Sequence, residues 1–496
     1  MAEGERQRTI PRVGVDEWVA TVEERVERGL AGRAREAWGR VPAGVKLASL
    51  VVVPALVPLL TQDDYLLQVA IDTVVFMLLA VGLNVAVGFA GLLDLGYVAF
   101  FGFGAYTYAM FASDHTGLHF QAPLVLLIVA VTGTALGFLV GLPSWRLVGD
   151  YLAIVTLFFL QIFSTILVNG DRLQLPFLEK EIAKLDGGLT RGPNGISNLD
   201  PMNWLGWKLT SLTQYFYLAL IAFALALVAL HSLNNSRIGR AWRALREEPL
   251  AAELMGMPVN WLKLLAFATG SVIAALTGTI FAAEQGAVFP SSVDVTVLIT
   301  LYAMVILGGA GDLAGVAIGA IVISVALEAL RTPSNASWVF YIALALTLPA
   351  LVRPWRWQLV ALLVGATVGF GFAVRAIVEA AWPAGTGGRP LGEASIDDWV
   401  SSWVLLQRNA TPEVPTALGK TAFVALIVAV LGLTVLKGRR RLVALVPTLY
   451  LAACVWENVL VPQSAVTRYI ILGALLVGMM AARPQGLLGK TRVEIV

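Results

Sequence analysis

The sequence predicts an all-α, polytopic membrane protein with about fourteen transmembrane helices, and three observations carry that prediction. Of 496 residues, 58% are hydrophobic and only 14% are charged, against roughly 25% charged in a soluble domain. Stretch after stretch of about 15–24 residues runs with few or no charges, and about 20 apolar helical residues cross a bilayer core. The short connectors fall into two sets. Arg146, the 237–257 stretch, Arg353 with Arg356, and Lys437 with Arg439, Arg440 and Arg441 are basic, whereas Asp63–Asp64 and Asp114 are acidic. A β-barrel needs shorter segments of alternating polarity, which are absent. A net charge of +2 gives no reason to expect nucleic acid or another acidic partner.

In chain order, residues 1–45 read as a cytoplasmic amphipathic extension. They lack an apolar core directly after a basic start, so they do not read as a cleaved signal. Within 15–40, Trp18, Val19, Val22, Val26 and Leu30 share one helical face and Glu23, Arg25, Glu27 and Arg28 the other, a pattern that suits a helix lying on the membrane surface. Spans follow at 46–61, 65–89, 94–112, 122–142, 151–169, 215–232, 262–282, 294–308, 313–330, 337–352, 357–378, 420–436, 442–461 and 466–482. This set puts every basic connector on one side with the basic N-terminus and the tail (Arg483, Lys490, Arg492). Lys and Arg in short loops stay cytoplasmic, so both termini are expected inside. The 294–308 span is short and runs into Gly308-Gly309-Ala310-Gly311, as a broken or re-entrant helix does where it lines a protein cavity.

About ten spans form a core, 46–331 together with the last span in 464–496, and about four are inserted over 332–463. The insertion holds an external segment, 380–419, in which Ile396, Trp399, Val400, Trp403, Val404 and Leu405 recur at helical spacing. That reads as an amphipathic helix on the outer surface, its Trp399/Trp403 face at the headgroup level or widening a landing surface for a protein outside.

The cytoplasmic loop 233–261 is punctuated as two helices. Four arginines stand three residues apart (Arg237, Arg240, Arg243, Arg246). Glu247 and Glu248 precede Pro249, which fits a first turn, and Gly256 with Pro258 stops the second helix. Leu250, Leu254 and Met255 offer an apolar surface that a solvated loop does not need, and a short amphipathic helix of this kind docks partners.

No catalytic or metal centre is legible. His115 and His119 are four apart without the glutamate of HExxH. Gly489-Lys490-Thr491 lacks the earlier glycine of a phosphate loop, and Gly309-Ala310-Gly311 follows no strand. The single Cys454 lies in an apolar run as a packed small residue. Polar groups in or near spans are functional candidates because their desolvation is costly: Asp72, Asn84, Asp94, Tyr97, Tyr106, Gln161, Glu284 and Gln285. Of these, Asn84, Asp94, Tyr97, Gln161 and Gln285 are the candidate solute path. Asp94 reads either as such a group or as the cap of a broken helix. The glycines around it (Gly88, Gly91, Gly96, Gly102, Gly104) read as packing seams or as flanks of an unwound section.

Several stretches, in order, resemble the permease subunit of bacterial ABC importers for branched-chain amino acids, the LivM type. They are GLNVAVGFAGLLDLGYVAFFGFGAY (82–106), LVGDYLAIVTLFFLQI (147–162), GLTRGPNGIS (188–197), IGRAWRALREEPLAAELMGM (238–257), FAAEQGAVFP (281–290), ILGGAGDLAGVAIGA (306–320) and RPQGLLG (483–489). The resemblance implies a helical permease in the bacterial plasma (inner) membrane that is not itself an enzyme. It implies a second permease subunit, two ATP-binding subunits that hold ATP and Mg²⁺, and an external solute-binding protein; no cofactor is expected in this chain. Loop 233–261 would be the coupling loop, with Arg240, Arg243, Glu247, Glu248, Leu250, Leu254 and Gly256 meeting the ATPase. The cargo would be a branched-chain or other hydrophobic amino acid; urea or a short amide, or an ion-coupled secondary transporter, are the alternatives. Three features depart from the pattern: the 332–463 insertion, Gln161 where a glutamate is common, and Glu284 where a basic residue is common.

Overall fold

Apolar runs become helices here, and polar or glycine-rich residues set their ends. The computed structural model describes residues 41–61, 63–145, 149–171, 188–351, 357–383, 395–406, 417–436, 439–461, 463–482 and 486. The surface helix expected at 15–40, the basic connectors Arg146, Arg353/Arg356 and Lys437, and most of the tail lie outside these residues. The chain divides into two compact units, 1–320 with 483–496, and 321–482.

The first unit opens with α1 (Ala43–Ala55) and the single turn α2 (Val57–Leu60). Asp63 caps α3 (Asp64–Asn84), accepting from the Tyr65 amide at 3.0 Å. From Met77 to Asn84 every residue of α3 is buried, as in a helix surrounded by others. It ends in a π-helical turn, Val85–Phe89, and the chain unwinds before α4 (Tyr97–Phe111). Then come α5 (Ala122–Gly141), α6 (Asp150–Val168) and α7 (Leu212–Asn235), the last with a capping box between Ser211 and Gln214. The loop helices α8 (Arg237–Glu247) and α9 (Pro249–Leu254) lead into α10 (Val259–Gln285), and α11 (Val295–Gly308) and the first half of α12 (Leu313–Ala329), whose later residues belong to the second unit, follow.

Long, central α10 packs on α3, α4, α5 and α7. Its contact with α4 is backbone-close: a Cβ on Gly104 would lie 1.8 Å from the Ala275 oxygen, and one on Gly278 2.0 Å from the Phe101 oxygen. So Gly104 belongs to a packing seam, whereas Gly88, Gly91 and Gly96 flank the unwound section; both readings of the glycine cluster hold, at different residues. Asp294 caps α11 through the Val295 amide at 2.7 Å, and a turn at Gly309–Asp312 separates it from α12.

At the C-terminal end of α10, short strands knit the connectors into a cap. Strand β1 (Ala112–Ser113) pairs with β2 (Leu118–His119), and β3 (Ile196–Ser197) pairs across the sequence with β6 (Ala287–Val288). Strands β4 (Asn203–Trp204) and β5 (Trp207–Lys208) form a hairpin. A helix of 27 residues spans roughly 40 Å at about 1.5 Å per residue, so cap and loop helices occupy opposite ends of this unit.

The second unit holds α13 (Pro333–Leu351), α14 (Trp357–Ala381), α15 (Ser395–Trp403), α16 (Ala417–Val435), α17 (Arg439–Val455) with a π-helical turn at Trp456–Leu460, and α18 (Ser464–Ala482). Its core gathers Val400, Trp403 and Val404 with Tyr450, Ala453 and Cys454. Here the structure corrects the sequence reading. Trp403 is only 4% exposed and packs into this core, whereas Trp399 is 51% exposed. The stripe on α15 is answered by protein, because Arg375 reaches from α14 to the Ser401 oxygen and Asn458 donates to the Leu405 oxygen at 2.8 Å.

Among the described residues, eight helical stretches are long and apolar enough to cross a membrane, and five shorter apolar helical runs accompany them. The fold is that of an all-α, multi-pass membrane protein.

Candidate functional site

Ser236 accepts from the Ile238 and Gly239 amides at 3.2 and 3.4 Å and so starts α8 directly after α7 ends. Gly239, Trp242 and Leu245 form its buried stripe. Trp242 is fully buried, and its indole Nε1 donates to the Leu262 oxygen at 2.9 Å, in the first turn of α10. The loop is therefore bolted to the longest helix of the unit by an aromatic anchor.

Three arginines of the ladder are spent on helix ends. Each step of three residues turns a side chain by about 300°, so successive arginines point in different directions. Arg240 donates to the Asn235 oxygen at 3.1 Å and Arg243 to the Asn234 oxygen at 3.1 Å, the last carbonyls of α7. Arg246 donates to the Gly88 oxygen and lies 3.5 Å from the Ala310 oxygen. Lys263, the next cation, reaches the Ser144 oxygen at 3.2 Å in the turn that ends α5. These four cations, Arg240, Arg243, Arg246 and Lys263, thus meet the negative ends of helices. Arg240 and Arg243, expected at the docking surface, staple the α7–α8 corner.

Past Glu247 and Glu248, both exposed, α9 buries only Ala252. Gly256, at φ +78°, ends it in the left-handed conformation that a glycine adopts without strain. Leu250, Leu254 and Met255 are 64%, 80% and 80% exposed. Beside them Glu253, Met257, Pro258, Val259, Asn260 and Trp261 line a shallow pocket. Three large apolar side chains are thus bare on and just after a one-and-a-half-turn helix, next to this pocket.

Three of the five solute-path candidates gather at this same end. The Asn84 side-chain oxygen accepts from the Gly311 amide at 2.8 Å, tying the end of α3 to the turn after α11. Asp94 is buried, and one oxygen accepts from the Gly96 amide at 3.0 Å, bracing the turn that begins α4. The same turn is held by Tyr302, which donates to the Asp94 backbone oxygen at 3.0 Å, and by Thr156, which accepts from the Leu95 amide at 2.9 Å. Tyr97 is fully buried, with its hydroxyl pressed against Gly82. The other two lie apart: Gln161 is exposed on α6, and Gln285 bonds its neighbour Glu284 at 3.0 Å at the cap end of α10.

Sequence reasoning missed Trp242, Arg246 as an anchor, Tyr302 and Thr156. A signal existed for the first, since Gly239, Trp242 and Leu245 stand three apart within the arginine ladder.

At the cap, His119 Nδ1 lies 2.5 Å from an Asp200 carboxylate oxygen, and Tyr108 donates to the Asp200 backbone oxygen at 2.6 Å. The hydrogen bond to Asp200 and its negative charge push the His119 pKa above the usual imidazole value. Among the described residues no group of three His, Cys, Asp or Glu side chains forms a metal site.

Comparison with known proteins falls mostly on the unit that carries this site. Residues 65–348 match the family model described as "Branched-chain amino acid transport system / permease component". The chain is 34% identical over 287 residues to the high-affinity branched-chain amino acid transport system permease protein LivM of Escherichia coli (strain K12), covering 53% of this chain and 63% of that protein. It is 33% identical over 287 residues to the LivM protein of Salmonella typhimurium, with the same coverage. It is 24% identical over 312 residues to the ribose import permease protein RbsC of Haemophilus influenzae, covering 60% of this chain and 88% of that protein. The chain thus spans less than two thirds of the length of these two LivM relatives. No solved structure is significantly similar to it. Since the family match takes in the unwound turn, the loop helices and the turn after α11 alike, the chain belongs to the permease-component family of branched-chain amino acid transport systems.

Proposed function

We propose that this chain is the transmembrane subunit of an ATP-driven ABC importer that passes a branched-chain or other hydrophobic amino acid inward from an external binding protein. The observation that carries the reading is the bare Leu250–Leu254–Met255 surface on α9, presented by a loop whose other parts are fastened to α7 and α10. A surface so placed transmits force: whatever holds α9 moves α8, and Trp242 moves the first turn of α10 with it. The partners are a second permease subunit and two ATP-binding subunits, which hold ATP and Mg²⁺. The site of action is the bacterial plasma membrane, with both termini and α8–α9 inside and the β-strand cap facing the binding protein.

Asn84, Asp94 and Tyr97 stand where the inner end of the path would close. Asp94 acts there as a brace of the unwound turn, through the Gly96 amide, and Gln285 marks the outer mouth. The relation to a ribose import permease is the reason to measure the cargo.

The test is uptake by proteoliposomes holding the chain, its partner permease and ATPase subunits, with the binding protein outside and ATP enclosed. Radiolabelled leucine accumulates only when ATP is present. Accumulation on a proton or sodium gradient without ATP would make the chain a secondary transporter. Uptake of urea or ribose in place of leucine would reassign the cargo.

A further inference from the structure

We propose that Arg246 is the positioning residue that joins the coupling loop to two helix breaks at the inner end of the path, so that α8, the turn after α3 and the turn after α11 move as one body. The inference rests on the reading of α9 as the ATPase-docking surface and says where that motion goes.

Arg246 is half-buried at the last turn of α8. It donates to the Gly88 oxygen, in the π-helical turn that ends α3, and lies 3.5 Å from the Ala310 oxygen, just past the end of α11. Two helix C-termini therefore converge on one guanidinium, whose planar fork carries five donors in fixed directions. The backbone is shaped around the side chain. Gly91 (φ +71°) and Gly311 (φ +99°) are both left-handed, and a Cβ there would stand 2.7 Å from Arg246 Cγ and 2.6 Å from its Nη1. Glycine alone gives both the conformation and the space.

A second bond closes the loop of contacts. Asn84 accepts from the Gly311 amide at 2.8 Å, so the two turns are tied to each other as well as to Arg246. The described residue of the tail, Gly486, lies against Ile306 and Gly309 at the same place. The turn after α3 carries Asp94, which Tyr302 of α11 also holds. A shift of α8 is thereby delivered to the beginning of α4 and the end of α11. Arg240 and Arg243 do something else, since both return to α7.

The experiment uses the full chain with Cys454→Ser and spin labels at Leu93 and Arg237, both exposed, one beside the helix break and one at the start of α8, away from the docking surface. Pulsed electron resonance is recorded on the purified chain, and on its complex with the ATPase subunits without nucleotide and trapped with ATP and vanadate. The distance distribution is narrow and stays in place across all three states. Arg246→Ala broadens it in the chain alone. In the vesicle assay the same variant hydrolyses ATP at close to the unmodified rate but imports about tenfold less leucine per ATP, the factor carried by one charge-assisted hydrogen bond. Arg246→Lys, which keeps the cation and the fold but not the fork, falls between them.

An unmodified pair whose distance changes on trapping would overturn the proposal, as would an Arg246→Ala variant with unchanged width and unchanged leucine per ATP. A proportional fall in hydrolysis and uptake would also overturn it, by assigning Arg246 to docking alone. If the chain binds no ATPase subunit, the functional reading fails, and the width in the purified chain still decides the clasp.

Discussion

The Asn84 side-chain oxygen and the Gly311 amide, 227 positions apart, meet at 2.8 Å and join two helix breaks. Removing one partner of a buried hydrogen bond leaves the other unpaired, at a cost of about 1–3 kcal/mol. Asn84→Leu is therefore expected to lower the thermal midpoint of the detergent-solubilised protein. An unchanged midpoint would show that the amide finds another acceptor.

Tyr97 gives the contrasting case. Among the described residues its buried hydroxyl has no hydrogen-bond partner, so Tyr97→Phe should change stability by no more than about 0.5 kcal/mol, or raise it. If the hydroxyl belongs to the solute path, leucine uptake falls while the melting curve stays in place. If uptake also stays in place, Tyr97 is packing and leaves the path to its neighbours.

Trp242 is the anchor of the loop. Truncating a fully buried aromatic residue costs about 3–5 kcal/mol, so Trp242→Ala should destabilise strongly and loosen α8. Trp242→Phe keeps most of the volume and loses only the bond to the Leu262 oxygen, for about 1 kcal/mol. Calorimetry on the two variants separates packing from the hydrogen bond; equal losses would contradict the account of the anchor.

These cases mark what the sequence could convey. Helix ends were legible because their causes are local: Pro249 and Gly256 bracket α9, and the glycines after Asn84 sit at a break. The all-α membrane fold was legible because apolar runs have few alternatives in a bilayer. Facing was not. The stripe on α15 shows that one side is apolar without saying whether lipid or protein covers it, and Trp403 turned inward. Nor were the targets of the arginines, because a carbonyl carries no mark in the sequence: Arg246 meets Gly88 across 158 positions. Of the solute-path candidates, Asn84, Asp94 and Tyr97 came together because one broken helix carries all three, while Gln161 and Gln285 were chosen for polarity alone.

Leu254 is 80% exposed in the last turn of α9; a substitution there touches no core, and a carboxylate near a helix C-terminus costs at most about 1 kcal/mol. Leu254→Asp should shift the melting curve only slightly yet reduce co-purification of the ATPase subunits and abolish ATP-driven uptake. Undiminished uptake would remove α9 as the docking element. Because Trp242→Ala loses fold and coupling together, the pair distinguishes a docking surface from an anchor.

At the opposite end, His119 and Asp200 make the cap sensitive to pH. The folded-state pKa of His119 is raised by Asp200, so the pair contributes stability that is fully present below the unfolded value of about 6.5 and is lost as pH rises through the folded value. His119 joins β2 to the segment that precedes the β4–β5 hairpin, and Tyr108 holds Asp200 in place from α4. Loosening should therefore begin in residues 112–121 and 196–204, not in the helices. Hydrogen exchange followed by mass spectrometry, corrected for the intrinsic rate at each pH, should find these peptides better protected near about pH 6 than near about pH 9. Asp200→Asn removes the negative charge and should flatten that dependence while leaving the protection of α10 untouched. Protection that rises with pH would mean that His119 is held as the neutral ring, and the sign of the argument would be reversed.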